Sequence, residues 1–102
     1  MPRTPEGRLL DAATARLKTL AASDPSFVWR KRHGSPMGQT GDPDLYGVWR
    51  GIPFEIELKI PGASPTPLQQ HRLDQWRKAG ARAFVVHDLD ELTDALNQLR
   101  QQ

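Results

Sequence analysis

The segment that most constrains the fold is "IPFEIELKI", residues 52–60, in which apolar and charged side chains alternate. The apolar set is Phe54, Ile56, Leu58 and Ile60, and the charged set between them is Glu55, Glu57 and Lys59. A period of two is typical of a β-strand and places the three charged side chains on one face of a sheet. The preceding "PDLYGVW" predicts a partner strand, joined through a hairpin turn at Arg50-Gly51.

Helical and strand patterns on either side of this hairpin predict five further elements. They are a helix from Pro5, capped by Thr4, to about Ala22, the strand "SFVWRKRH", a helix from Thr66-Pro67 to about Ala79, the strand "RAFVVH", and a helix from about Leu89 to Leu99. The helix between the third and fourth strands is long enough for a right-handed crossover, which makes those strands parallel. We therefore expect one α/β domain over residues 1–102, with a mixed four-stranded sheet flanked by helices.

Composition excludes several classes of protein. The 102 residues contain no cysteine, which rules out disulfides, thiolate zinc sites and a thiol nucleophile. No stretch approaches the roughly 20 apolar residues of a membrane span. The beginning "MPRTPEGRLL" lacks the apolar core of a secretory signal. A cytoplasmic protein without a membrane partner is the expectation.

Basic residues are concentrated in two clusters, although the formal net charge is only +2. One cluster is Arg30, Lys31, Arg32 and His33, and the other is His71, Arg72, Arg77 and Lys78. Such clusters attract a phosphate backbone. They are equally compatible with a solvated charged surface, and the charges alone do not decide between the two interpretations.

Two acids and a lysine are candidates for a metal site. Asp44 begins one hairpin strand and Glu57 lies on the other at a comparable distance from the turn, so they are expected to be approximate cross-strand neighbours. Mg²⁺ prefers oxygen ligands and needs only one or two carboxylates when water and a substrate phosphate complete its shell. Lys59 projects from the same face as Glu57. The alternative is a solvent-facing hairpin of mixed charge, although Gly41 and Pro43 constrain the backbone where Asp44 is presented.

Two polar residues fall on helix stripes that are otherwise apolar. Glu6 precedes Leu10 by four positions and is expected to point toward the sheet. Gln69 precedes Leu73 by four and lies on the inward stripe of its helix. Simpler explanations exist, since Glu6 favours the helix dipole and Gln69 can form a capping box with Thr66. Burying several such groups without a metal or ligand is nevertheless costly.

Taken in order, these segments resemble the PD-(D/E)xK nuclease superfamily, and most closely the VRR-NUC domains in their small stand-alone form. Gly41-Asp42-Pro43-Asp44-Leu45 looks like the family's G-x-P-D-[LIV] signature, Glu57-Leu58-Lys59 like its E-x-K, and Thr66-Pro67-Leu68-Gln69 like its [ST]-P-x-Q segment. Glu6 matches the acid of the family's first helix. The resemblance covers residues 6 to about 86.

The resemblance implies a restriction-endonuclease-like αβββαβ core and a divalent-metal DNA endonuclease. It assigns the site residues as follows: Asp44, Glu57 and the backbone carbonyl of Leu58 hold Mg²⁺ or Mn²⁺, Lys59 orients the nucleophilic water, Glu6 completes or supports the metal shell, and Gln69 positions Lys59 or a phosphate. Asp42 and Glu55 are expected to be bystanders.

The resemblance also implies partners. Stand-alone members of the family are associated with phage and mobile elements, act as homodimers, and are linked to branched DNA such as four-way (Holliday) junctions. The expected setting is a bacterial or phage-infected cell. The expected DNA contacts are Arg30, Lys31, Arg32, His33 and Arg72, with the glycine-rich loop of residues 34–41 shaping the mouth of the site. A module that binds branched DNA and cuts poorly alone is the alternative, and the last helix either packs on the domain or extends a dimer interface.

Overall fold

The computed structural model describes residues 3–33 and 40–102, which form the elements of the sequence prediction in the predicted order. The elements are α1 (Pro5–Ser23), β1 (Phe27–Lys31), β2 (Leu45–Trp49), β3 (Ile52–Leu58), α2 (Pro67–Lys78), β4 (Arg82–Val86) and α3 (Leu89–Arg100). Most of the glycine-rich loop, residues 34–39, lies outside the described residues, so its predicted role remains a prediction.

The four strands form one mixed sheet in the order β1-β2-β3-β4. β1 pairs with β2 and β2 with β3 in antiparallel register, and β3 pairs with β4 in parallel register. The predicted hairpin turn is present, with Arg50 and Gly51 both at positive φ, 53° and 82°. That combination matches the right-handed twist of the strands on either side of the turn. The predicted α/β fold class and the parallel crossover are confirmed.

The main hydrophobic core lies between the sheet and the pair α1 and α3, on what we call the core face of the sheet. Its members include Leu17, Phe54, Ile56 and Leu92, each fully buried. Because side chains alternate along β3, Glu55 and Glu57 point to the opposite face. The second face is covered by α2, and we call it the α2 face.

A glycine permits the tight aromatic packing at the centre of the core face. Phe54 stacks on Phe27 with ring centroids 5.4 Å apart, and the register places Phe54 opposite Gly47. A Cβ on Gly47 would lie 2.0 Å from the Val28 carbonyl oxygen and 2.7 Å from the Phe54 ring. No side chain fits in that space, so the sheet depends on glycine at this position.

The last helix completes the core of the domain. Its buried residues are Leu92, Ala95, Leu96 and Leu99, and they pack with α1 and the sheet. Of the two alternatives for this helix, packing on the domain accounts for its apolar side. Within the described ranges, none of the helices has the length and hydropathy needed to cross a bilayer.

Candidate functional site

The hairpin register brings Asp44 and Glu57 together. Leu45 pairs with Ile56, so the next pair outward joins Asp44, just before β2, to Glu57 on β3. Asp44 Oδ2 accepts a hydrogen bond from the backbone N–H of Leu58 at 2.8 Å. The predicted neighbourhood of the two acids is therefore present, and one carboxylate oxygen of Asp44 is fixed against β3.

Glu57 is a buried carboxyl group whose burial is only partly compensated by hydrogen bonds and a nearby positive charge. It is 3% exposed, and its Oε1 has no hydrogen-bond partner among the described residues. The Lys59 ammonium lies 4.0 Å from Oε2, at the outer limit of an ion pair. Burial, followed by the negative charge of Asp44 and hydrogen bonding with it, raises the pKa of Glu57 to about 8, while Lys59 opposes the rise. The metal-free site therefore retains a proton at neutral pH.

This donor set fits a divalent cation. Two adjacent carboxyl groups supply oxygen ligands, the Oε1 atom of Glu57 has no hydrogen-bond partner among the described residues, and the Lys59 ammonium approaches Oε2 only to 4.0 Å. Mg²⁺ keeps several waters and is commonly held by one or two carboxylates together with substrate phosphate. Within residues 3–33 and 40–102, no group of three His, Cys, Asp or Glu residues forms a preassembled cage.

Glu6 does not point toward the sheet as the helix periodicity predicted. It is exposed in the first turn of α1, whereas the fully buried residues of that helix are Ala13 and Leu17, two and three turns further along. The periodicity placed Glu6 on the apolar side of α1. It did not show that the first turn of α1 lies at the margin of the surface that packs on the sheet. Its support of a metal shell stays a prediction.

Lys59 lies beside Glu57, whereas the structure gives Gln69 a contact with the start of its own helix. Lys59 is 20% exposed, and its backbone N–H donates to the Val86 carbonyl at 3.0 Å, which fixes the residue against β4. Gln69 forms the capping box that the sequence allowed, with its Oε1 accepting from the Thr66 N–H at 2.9 Å. A phosphate would therefore be contacted through the side-chain NH₂ group, whereas the Lys59 ammonium, which only donates, could bond only to the second lone pair of Oε1.

The backbone before Asp44 is closely packed. Gly41 has φ of +89°, and a Cβ there would lie 2.8 Å from the Leu68 side chain, so glycine is needed for both conformation and space. Pro43 is fully buried. This packing agrees with the sequence interpretation that Gly41 and Pro43 constrain the backbone at Asp44.

Arg32, Glu55 and Asp42 form a network beside the carboxylate pair. The Arg32 guanidinium makes two bonds to Glu55, at 2.5 and 3.2 Å. It lies over the rings of Tyr46 and Trp76, 4.3 and 5.1 Å from their centroids. The Trp76 indole N–H donates to Asp42 at 3.1 Å. Burial raises the pKa of Glu55 and the bonds from Arg32 oppose that rise. Asp42 and Glu55, expected as bystanders, thus have specific partners.

The predicted DNA-contact residues differ in their surroundings. Arg30, Lys31 and His33 are exposed, whereas the Arg32 side chain is 22% exposed and paired with Glu55. Arg72 is half-buried on α2, where it donates to the Thr40 carbonyl at 3.2 Å and to Gln75 at 2.9 Å. Arg72 therefore holds the loop before the candidate site in addition to any contact with DNA.

A basic cleft lies beside the edge strand β1. It has a volume of about 550 Å³ and is lined by Thr14, Lys18, Trp29, Arg30, Lys31 and His33. Since two lining residues belong to α1, the cleft is on the core-face side of β1, while Glu57 lies on the α2 face. Lys18 is a basic residue that the sequence interpretation missed. Its position next to Leu17 on the helix gave no indication that it would meet the basic strand.

Comparison with solved structures identifies relatives of this fold. A chain described as "VRR_NUC domain" superposes with a TM-score of 0.74 and 30% sequence identity, over 93% of this chain and 97% of that one. A second, described as "VRR_NUC domain protein", gives a TM-score of 0.65 at 18% identity, over 99% of this chain and 92% of the other, which shows likeness of fold. No protein-family model and no curated protein matches the sequence.

Proposed function

The chain belongs to the VRR-NUC domain family, and from that membership we propose that this nuclease-type domain is a divalent-metal-dependent DNA endonuclease. The observation that carries the proposal is the pair of Asp44 and the buried Glu57, with one glutamate oxygen lacking a hydrogen-bond partner within residues 3–33 and 40–102 and with Lys59 beside it. A carboxylate pair whose ion pair with Lys59 is at the outer distance limit suits a cation that arrives from solution.

The chain's own groups have distinct proposed roles. Asp44, Glu57 and the Leu58 carbonyl would hold Mg²⁺ or Mn²⁺, which supplies positive charge to polarise a phosphoryl oxygen. The Lys59 ammonium, 4.0 Å from Glu57, is placed to hold and orient an attacking water and to stabilise negative charge on the phosphate. The proposed supporting roles are outer support of the metal shell by Glu6 and a phosphate or Lys59 contact by the Gln69 amide.

The proposed DNA path joins the α2 face to the β1 edge. Arg30, Lys31 and His33 are exposed there, and the basic cleft adds Lys18. Arg72 is proposed as a further contact beside the site. These groups offer charge to a phosphate backbone without base-specific geometry, which favours recognition of DNA shape over sequence. We propose branched DNA, such as a four-way junction, as the preferred substrate.

A homodimer is part of the proposal, because a two-fold symmetric junction presents two equivalent strands to two active sites. Support comes from an apolar pair on the α2 face of β1 and β2. Val28 and Val48 face each other across β1 and β2 and are 50% and 44% exposed. Sedimentation of the wild type beside a Val28→Lys, Val48→Lys variant tests this directly. A wild type that sediments as a monomer at micromolar concentration contradicts the dimer.

The proposed activity is tested on labelled duplex, flap and four-way-junction DNA, each with Mn²⁺, Mg²⁺ or EDTA. We expect metal-dependent cleavage with preference for the junction, and loss of about 10²-fold or more in rate for Glu57→Ala and Lys59→Ala. Gln70→Ala is the matched control, because the exposed side chain of this residue bonds, among the described residues, only to Asp74. Unchanged cleavage by either site variant contradicts the assignment. Junction binding without products in any metal favours the binding module.

A further inference from the structure

We propose that Arg32 and Glu55 are positioning residues that orient Asp44, and that Arg32 does not act through a contact with DNA. The inference rests on the proposed function only in taking Asp44 as a metal ligand. Glu55 lies two positions before the E-x-K segment and Arg32 lies within the basic cluster, and neither residue belongs to the motifs that indicate a metal site.

The first observation is that Arg32 binds the peptide group on each side of Asp44. Its Nη1 donates to the Pro43 carbonyl at 2.8 Å, and its backbone N–H donates to the carbonyl of Asp44 at 2.8 Å. The two peptide planes that flank the Asp44 Cα are therefore both held by one residue. Fixing these planes fixes the direction in which the Asp44 side chain leaves the backbone.

The second observation is that the Arg32 side chain is itself held rigidly. Its bidentate pair with Glu55 involves a carboxylate that is 4% exposed, and the Tyr46 and Trp76 rings lie against the guanidinium. Bidentate geometry and aromatic contact both restrict guanidinium orientation. Trp76 is fixed in turn by its bond to Asp42, which precedes Pro43. The network closes on the same short segment that presents Asp44.

The third observation concerns charge. Glu55 and Glu57 lie on the same face of β3 and have different partners. Glu55 pairs with Arg32, which directly follows β1, and Glu57 lies opposite Asp44, which directly precedes β2. The positive charge of Arg32 is therefore neutralised locally. Binding a phosphate would require breaking a buried ion pair, which is costly because it leaves an unpaired carboxylate behind. Arg30, exposed on the same strand face, has no such constraint.

Arg32→Lys and Glu55→Gln separate positioning from DNA contact. Lysine keeps the charge that a phosphate contact needs but loses the fork that reaches both Glu55 and Pro43. Glutamine at position 55 keeps the size and removes no positive charge. Arg30→Ala is the matched control, expected to weaken DNA binding while leaving metal affinity unchanged.

Two readouts do not depend on cleavage. In the metal-free protein, the Leu58 amide resonance reports its 2.8 Å bond to Asp44, so we expect it to move upfield in Arg32→Lys and Glu55→Gln and to stay in place in Arg30→Ala. By calorimetry, the same two variants should bind Mn²⁺ about 10- to 100-fold more weakly, as typical for residues that orient ligands. DNA affinity in EDTA should change less than about twofold, and the salt dependence of DNA binding should keep its slope, whereas loss of a phosphate contact would reduce that slope by about one.

The opposite result overturns the proposal: weakened DNA binding in Arg32→Lys with an unshifted Leu58 amide and normal Mn²⁺ affinity assigns Arg32 to DNA. If Arg32→Lys fails to fold, Glu55→Gln with a wild-type Leu58 amide and Mn²⁺ affinity is sufficient to refute it. If the wild type cuts no DNA but binds Mn²⁺, the proposed function fails, and the positioning role is still decided by these two readouts.

Discussion

Glu57→Gln perturbs the candidate site most sharply, because glutamine has the shape of a protonated glutamic acid and never becomes negative. Burial and the Asp44 carboxylate raise the pKa of Glu57 from 4.5 to about 8 in the folded, metal-free protein. The unfolded chain lacks that burial, so its glutamate ionises near 4.5. Between these pH values the folded state holds a proton that the unfolded state has released. Because the two acids interact, this proton belongs to the Asp44–Glu57 pair.

The sign and size of the effect follow from this proton. The folded state binds one proton more, so the free energy of unfolding of the wild type falls by about 1.4 kcal/mol per pH unit as pH rises through this window. A pKa of about 8 against 4.5 corresponds to about 5 kcal/mol over the whole window. The variant has no such ionisation. Its stability relative to the wild type should therefore grow with pH by the same amount.

Urea denaturation in EDTA at pH 5, 6, 7 and 8 measures this difference, and the titrating groups outside the Asp44–Glu57 pair cancel because both proteins carry them. We expect the variant to exceed the wild type by about 3 to 5 kcal/mol at pH 8 and by little at pH 5. Mn²⁺ should restore the wild type and leave the variant unchanged. Parallel profiles for the two proteins would refute the reasoning, since they would show that folding does not raise the pKa of Glu57.

Three further outcomes concern His87, Gly47 and the basic cleft. The two ring nitrogens of His87 face Glu91 Oε1 at 2.8 Å and a backbone carbonyl at 2.9 Å, and only the imidazolium donates to both. The hydrogen bonds to Glu91 and to that carbonyl raise the pKa of His87 above 6.5. An NMR titration should find the raised pKa in the wild type and a lower pKa in Glu91→Gln. The stability that these bonds contribute is complete below about pH 6.5 and is lost as the pH rises through the raised pKa. Gly47→Ala should lower the free energy of unfolding by about 3 kcal/mol or more, measured in urea, because its Cβ would meet a carbonyl oxygen; a wild-type midpoint contradicts this. Lys18→Ala and Lys31→Ala should each reduce the salt dependence of DNA binding by about one unit of slope, and an unchanged slope would remove the cleft from the DNA path.

Local patterns were sufficient for the elements of this fold. Strict alternation along β3 and the Arg50-Gly51 turn predicted the hairpin, and the hairpin register in turn predicted that Asp44 and Glu57 meet. Such predictions succeed because the determining interactions lie within about a dozen residues. The capping box of Gln69 is local in the same sense.

The features that the sequence did not predict depend on distant contacts. Alternation placed Arg32 on a strand face but did not show that Glu55, two strands away, would pair with it. Periodicity placed Glu6 on a helix side but could not show where the packed part of α1 begins. The meeting of Lys18 with the basic strand likewise depends on the angle at which α1 crosses the sheet, which no short motif encodes.

The most direct test of the central claim is a calorimetric titration of the metal-free protein with Mn²⁺ at pH 7, repeated in two buffers of different ionisation enthalpy. If Asp44 and Glu57 form the metal site and share a proton, Mn²⁺ should bind and release about one proton per site, because a ligating carboxylate must be deprotonated. Asp44→Asn should lose most of that binding. Binding without proton release, or equal affinity in Asp44→Asn, would contradict the account.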